Sequence, residues 1–220
     1  MFLITKTFYK TIMNRVIQEY INNLIKNFDE IINIRKSVLL NVSKYINENI
    51  LKNQKVNLMF ICTHNSRRSQ LAQVWSYVAF NYYKLEKIKV FSGGTEVDKF
   101  NSNAIHSLIN AGLIIKKINK NEFLVKTCQQ EKGLKCYSKQ YNSENNPKNN
   151  FIAIMTCSDA DKKCPVLKGA NKKIVLPYKD PKVSEGLENE KKTYDQSCFY
   201  IAKEMFFIMK NVKRRLNACS

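Results

Sequence analysis

Apolar and polar positions divide the chain into a helical opening and a longer stretch in which strand-like and helix-like segments alternate. Between residues 8 and 50, apolar side chains recur at helical spacing: Ile12, Val16 and Tyr20, then Leu24, Phe28, Ile31 and Ile32, then Val38, Leu39, Val42 and Ile46. This predicts two or three helices that carry no chemistry of their own. The polar stretch Asn53-Gln54-Lys55 ends them. Residues 56–61 (VNLMFI) follow as a short run that is apolar apart from Asn57, as a strand buried on both faces requires. Beyond a polar turn, Leu71, Val74, Trp75 and Val78 fall at i, i+3, i+4 and i+7, one buried face of a helix. Strand, loop and helix in that order form the unit from which parallel sheets are built.

Further strands are expected at 88–91 (IKVF), 151–156 (FIAIMT) and 173–177 (KIVLP), and Ala104, Ile105, Leu108 and Ile109 mark a helix ended by Gly112. A last helix, from about Tyr194 to Leu216, carries Cys198, Ile201, Met205, Ile208, Met209 and Val212 on one side, as a helix docked on a sheet would. The expected fold is α/β: a three-layer, doubly wound sheet of about four parallel strands with helices on both faces. An N-terminal helical extension would occupy 1–54 and the α/β domain 55–220. Residues 116–150, rich in Lys, Asn, Gln and Ser with weak periodicity, read as an inserted loop or small hairpin without an assignable role.

At 220 residues the chain can bury a core without disulfides or metals. No run approaches the ~20 apolar residues that span a bilayer, and the opening lacks the features of a secretion signal. A soluble, cytoplasmic protein is expected. Its seven cysteines, an odd number, then read as reduced thiols rather than a disulfide framework. The net charge of +19 would suit a polyanion partner, yet only six of the 37 basic residues are Arg, and the Lys residues are scattered rather than gathered on one face. Nucleic-acid and membrane partners are therefore not expected. Where Arg is so scarce, the adjacent Arg67 and Arg68 beside a cysteine stand out, because Lys cannot copy planar bidentate anion recognition.

That cysteine opens the run Cys62-Thr63-His64-Asn65-Ser66-Arg67-Arg68-Ser69, placed between the first strand and its helix. The spacing can wrap a backbone loop around one tetrahedral oxyanion, with successive N–H groups of residues 63–69 turned inward and the positive end of the helix dipole aimed at it. A thiol in that field is stabilised as thiolate, so Cys62 reads as a nucleophile. Arg68 can grip two oxygens of the anion, Ser69 can hydrogen-bond the sulfur, and Asn65 tolerates positive φ and can brace the loop. The bland alternative is a buried, inert cysteine at a strand end.

These residues resemble the low-molecular-weight protein tyrosine phosphatase superfamily, including its thioredoxin-coupled arsenate reductase branch, over about residues 56–215. Phe91-Ser-Gly-Gly-Thr95 looks like the family's second-strand motif, and Asn101 through Ala104, Leu108 and Gly112 follow its next helix. Asp180-Pro181 resembles its late Asp-Pro. The resemblance implies Cys62 as nucleophile, Arg68 as anion clamp and Asp180 as proton donor. Read without it, Asp180 is simply a turn residue. Two positions depart from the pattern: His64 stands where the family usually has Gly, and Arg67 where it often has Cys. His64 is expected as an exposed loop side chain. Glu96, Lys99 and the 116–150 insertion have no family counterpart.

Cys157 and Cys164 flank a polar segment at the carboxyl end of the expected 151–156 strand, the edge where open α/β sheets carry their sites. They could pair if that segment folds back, or be two thiols without redox work. Zinc would need closer cysteine spacing and four ligands, with only His64 and His106 available, and no cofactor is expected. The resemblance implies a relay: Cys62 binds arsenate, Cys157 attacks the adduct and releases arsenite, and Cys164 resolves the disulfide for a thioredoxin-like reductant. Cys198 is expected in the core, and Cys128, Cys136 and Cys219 as loop or tail thiols. Arsenate reduction is thus the leading expectation, with phosphomonoester hydrolysis, on phosphotyrosine, through a phospho-Cys62 intermediate as the alternative. A noncatalytic polyanion-binding module is the third reading.

Overall fold

A computed structural model describes residues 13–164 and 166–218; Ile12, Pro165 and Cys219 lie outside the described residues. Among the described residues, seven strands and six helices follow in chain order. The N-terminal helices are α1 (Arg15–Lys26) and α2 (Asn33–Leu51), joined by a 3-10 turn at Asn27–Glu30. β1 (Val56–Cys62), α3 (Arg68–Tyr82), β2 (Ile88–Gly94) and α4 (Ser102–Asn110) come next. Three short strands follow, β3 (Ile114–Lys117), β4 (Phe123–Lys126) and β5 (Leu134–Cys136). The chain closes with β6 (Phe151–Met155), α5 (Ser158–Lys163), β7 (Ala170–Val175) and α6 (Glu190–Ala218).

The main sheet has the order β2-β1-β6-β7, with every neighbouring pair parallel. Side chains alternate across it. Leu58 and Phe60 of β1 face a large core shared with α1, α2, α3, α4 and α6, while Met59 and Ile61 face a smaller cluster with Cys157, Ala160 and Cys164 of the α5 region. Helices therefore cover both faces. The KIVLP run pairs as strand from Ala170 only to Val175, and Leu176 stays buried beyond it.

The long α6 helix turns Cys198, Ile201, Met205, Ile208, Met209 and Val212 into the large core, as its spacing predicts. Two ion pairs tie it to the N-terminal helices. Arg35 donates from Nε and an Nη to the two carboxylate oxygens of Glu204 at 2.7 and 2.8 Å, and Lys203 meets Glu30 at 2.6 Å. The inward stripe of the first helix differs from the expected one. Asn14 caps α1 by accepting from the Ile17 N–H, which turns Ile17, Ile21 and Leu24 inward and leaves Val16 exposed. Ile32 is also exposed, because it stands at the N-terminal boundary of α2.

Residues 116–150 hold more structure than a loop or hairpin. β3, β4 and β5 form an antiparallel three-stranded sheet, and the chain after β5 lies against the end of β2, with Gly94 and Gln140 bridged. Cys128 lies in a loop, as expected, whereas Cys136 ends strand β5, and both are buried. Burial pushes the Cys136 thiol up to about 12.

Candidate active site

β1 delivers Cys62 to the carboxyl edge of the sheet, and α3 begins six residues later at Arg68. Between them the backbone carbonyls are drawn outward one after another. Cys62 O accepts from Thr95 N and Thr63 O from Glu96 N, at 3.2 and 2.8 Å. His64 O accepts from Ser138 Oγ at 2.9 Å, Asn65 O from Gln70 Nε2 at 3.1 Å, and Ser66 O from Asn101 N at 3.0 Å. In a trans peptide the N–H points opposite to the carbonyl, and none of the peptide bonds among the described residues is cis. The N–H groups of residues 63–67 thus turn to the inside of the loop, a concavity suited to an anion at the start of a helix.

Asn65 is the hub that holds this shape. It is fully buried with φ +48°, the left-handed conformation that Asn adopts more readily than most residues. Its Oδ1 accepts from Lys139 N at 3.0 Å, and its Nδ2 donates to Ser69 Oγ at 2.8 Å. Ser69 Oγ lies 3.1 Å from Cys62 Sγ. Since that hydroxyl oxygen already accepts from Asn65, its own proton is free to go to the sulfur. Gly94 stands opposite Cys62 in the β1–β2 register, and a β-carbon there would run into Glu96 O, Thr63 O and Asn65 N. The glycine lets the loop pack against the end of β2.

Arg68 and Arg67 both reach Asp180. Arg68 donates from one Nη to Asp180 Oδ2 at 2.5 Å and from the other to Tyr178 O at 3.2 Å, while Arg67 Nε donates to Asp180 Oδ1 at 3.1 Å. Arg67 also lies 3.5 Å from Glu185. Asp180 caps the 3-10 turn Pro181–Ser184 by accepting from Lys182 N. These residues line a cleft of about 350 Å³ with Thr63, His64, Asp159, Lys162, Lys163 and Lys182. At its mouth His64 is half-exposed and lies 3.2 Å from Glu96, which Lys163 meets at 2.6 Å. Lys163 and then His64 hold the Glu96 carboxyl below the usual range.

The other two candidate thiols lie on the same side of the sheet. Cys157 follows β6 and caps α5, its Sγ accepting from Ala160 N at 3.4 Å and lying 3.5 Å from Thr63 Oγ1. Cys62, Cys157 and Cys164 share one buried cluster, and all three are free thiols. Burial raises the Cys164 thiol, against the opposing influence of Lys173 and Tyr141. Lys173 grips the turn between them, meeting Asp161 at 2.6 Å and donating to Cys164 O at 2.8 Å. Cys198 sits instead in the large core, accepting from Trp75 Nε1 at 3.1 Å. His106 lines a separate surface groove with Asn103, Asn110 and Asp195.

Thus Thr63, Arg67, Arg68 and Asp180 line one cleft with His64 at its mouth, while Cys62, in contact with Ser69, shares a buried cluster with Cys157 and Cys164. Ser66 turns away to donate to Lys99 O at 2.6 Å. Sequence reasoning missed the cleft residues Asp159, Lys162 and Lys182, and Glu185 behind Arg67, because isolated charges in polar segments carry no periodic signal. It also missed Gln70, Tyr137, Ser138 and Lys139, which brace the loop from outside; Gln70 Nε2 donates to Tyr137 O at 2.8 Å.

No protein-family model matches the chain. An arsenate reductase of Staphylococcus aureus is 30% identical over 127 residues, which cover 58% of this chain and 79% of the relative. An arsenate reductase of Bacillus subtilis is 28% identical over 140 residues, covering 63% and 84%. Among solved structures, a low-molecular-weight protein tyrosine phosphatase from Bacillus subtilis superposes with a TM-score of 0.50 at 15% identity, over 72% of this chain and 98% of the other. By its identity to these reductases this chain is an enzyme that belongs to the arsenate reductase family, and its fold is similar to that of low-molecular-weight protein tyrosine phosphatases.

Proposed function

We propose that the protein reduces arsenate to arsenite through Cys62, Cys157 and Cys164. The observation that carries this reading is the shared burial of the three thiols beside the anion loop, with Thr63 of that loop 3.5 Å from Cys157 Sγ. The Cys62 thiolate attacks arsenic(V) held by the loop N–H groups and Arg68. A sulfur–arsenic bond forms, and one arsenic–oxygen bond breaks as the oxygen leaves as water with a proton from Asp180. Cys157 then attacks Cys62 Sγ. The sulfur–sulfur bond forms, the electron pair of the sulfur–arsenic bond passes to arsenic, and arsenite departs. Cys164 attacks Cys157 in turn, freeing Cys62, and a dithiol reductant of the thioredoxin type returns the Cys157–Cys164 disulfide to thiols. Ser69 stabilises Cys62 as the leaving sulfur. Thr63, His64, Asn65, Ser66 and Arg67 shape or flank the loop.

The same loop could form a phospho-Cys62 intermediate that water hydrolyses. The lining of the cleft favours a small inorganic anion over phosphotyrosine: its walls are charged or polar side chains with no aromatic ring to hold an aryl group. Replacing Cys62 by Ser should abolish turnover of arsenate and of an aryl phosphate alike. Cys157→Ser and Cys164→Ser should stop multiple-turnover arsenate reduction and spare any aryl phosphate hydrolysis. Arsenate turnover that survives Cys157→Ser would refute the relay. Full biological activity in Cys62→Ser would favour the polyanion-binding reading instead.

A further inference from the structure

Arg67 is a loop residue whose side chain takes no part in the relay. It is 7% exposed, close to complete burial for a charged side chain. Its guanidinium joins two carboxylates, donating from Nε to Asp180 Oδ1 at 3.1 Å and lying 3.5 Å from Glu185 through Nη1. Glu185 is itself held, since Oε1 accepts from Tyr194 Oη of α6 at 2.9 Å. A chain of polar contacts thus runs from the last helix through Tyr194, Glu185 and Arg67 to Asp180, and ends at Arg68.

Asp180 shares Arg68 with whatever anion Arg68 grips. Asp180 Oδ2 and Tyr178 O take one N–H from each Nη of Arg68, and an oxyanion gripped by the remaining donors shares the guanidinium charge and repels the Asp180 carboxylate, which then needs another cation to stay above the loop. We propose that Arg67 is that cation: a positioning residue that retains Asp180 over the loop while Arg68 turns to the substrate. This inference rests on the function proposed above. Lys could not do the same, because two carboxylates on different sides of the group call for the spread donors of a guanidinium, whereas an ammonium is a single point charge on a flexible stem. Arg67 acts through Asp180, so its effect must vanish when the Asp180 carboxylate is removed.

The test is a double-mutant cycle on binding of inorganic phosphate to the reduced full-length protein, measured by isothermal titration calorimetry. Arg67→Lys keeps the charge and loses the fork. It should weaken phosphate binding roughly five- to tenfold, since Asp180 no longer yields Arg68 readily. Asp180→Asn should tighten binding, and Arg67→Lys added to Asp180→Asn should change it by less than about twofold. Glu185→Gln, which alters a half-exposed side chain and leaves the loop itself intact, should weaken binding about two- to threefold in the parent and not in Asp180→Asn. Thermal melts check that each variant is folded. If Arg67→Lys does not fold, Glu185→Gln decides alone. Wild-type affinity in Arg67→Lys, or in Glu185→Gln, overturns the inference, as does an equal loss with and without Asp180. If phosphate does not bind the wild-type protein at all, the anion clamp and the function built on it fall as well. The inference by itself falls when phosphate binds but the cycle shows no coupling.

Discussion

Replacing Gly94 by Ala is the sharpest test of how the sheet supports the loop. A methyl group at residue 94 would meet Glu96 O, Thr63 O and Asn65 N. All three are backbone atoms, so no flexible side-chain tip can swing away, and overpacking of this kind costs about 1–3 kcal/mol. The φ of Gly94 is not in the left-handed region, so the cost is steric rather than conformational. Two of the three atoms belong to the anion loop itself, and relief of the clash therefore moves the loop. A displacement of ~1 Å between reacting groups lowers rates about a hundredfold. Gly112→Ala is the matched control. Gly112 has φ +94°, and its β-carbon would meet Ile17 of α1, far from the loop in the chain and on the N-terminal helix. Both variants should melt several degrees lower, at roughly 2–4 °C per kcal/mol for a chain of this size. Only Gly94→Ala should slow arsenite formation, measured in a single turnover by reduced protein. Wild-type rates in Gly94→Ala, or an equal slowing in Gly112→Ala, would refute the claim that the β2 end sets the loop geometry.

Ser69→Ala should slow the step in which Cys62 leaves as thiolate from its disulfide with Cys157, because a hydrogen bond to a charged group contributes about 1.5–3 kcal/mol, roughly ten- to hundredfold in rate. Phosphate affinity should change little, and a Cys157–Cys164 disulfide forming at the wild-type rate after one arsenate turnover would show that the 3.1 Å contact between Ser69 Oγ and Cys62 Sγ has no catalytic weight. Stability should fall at alkaline pH. Burial raises Cys136 and Cys198 to about 12, so above an unfolded thiol's ~8.5 the folded chain keeps protons that the unfolded chain releases. Lys139, lowered to about 8 by its burial, works in the opposite sense between that value and its unfolded ~10.4. Two thiols against one amine leave a net loss as pH rises. Urea midpoints at pH 8 and pH 10 should show it, and Cys198→Ala should shrink the difference; a midpoint that rises with pH would contradict the assignment.

The sequence by itself determined the elements whose signal is periodic. A short apolar run makes a strand buried on both faces wherever it sits, and a stripe at i, i+3, i+4 and i+7 must find a core, so β1, α3, β6 and α6 were legible from residues 56–61, 71–78, 151–156 and 198–212. The place of the candidate loop between β1 and α3 was legible for a related reason. Its residues are contiguous, and a strand before it and a helix after it leave little freedom in where Cys62 and Arg68 stand. The stripe of α1 was misplaced by one residue, because the cap at Asn14 set the helix phase and the apolar count alone did not.

What only the tertiary structure decided is whatever joins distant segments through single polar contacts. Ser138 and Lys139 brace the loop across 74 residues of chain, and Asp180 meets Arg67 and Arg68 across 113 and 112. A lone Asp or Lys in a polar stretch looks the same whether it is solvated or buried against a partner, since hydrogen-bond donors and acceptors leave no repeat in the sequence. Burial of Cys157 and Cys164 in one cluster with Cys62 is of the same kind: their separation along the chain was visible, but the cluster arises only when β6 pairs with β1 and α5 folds back over the sheet.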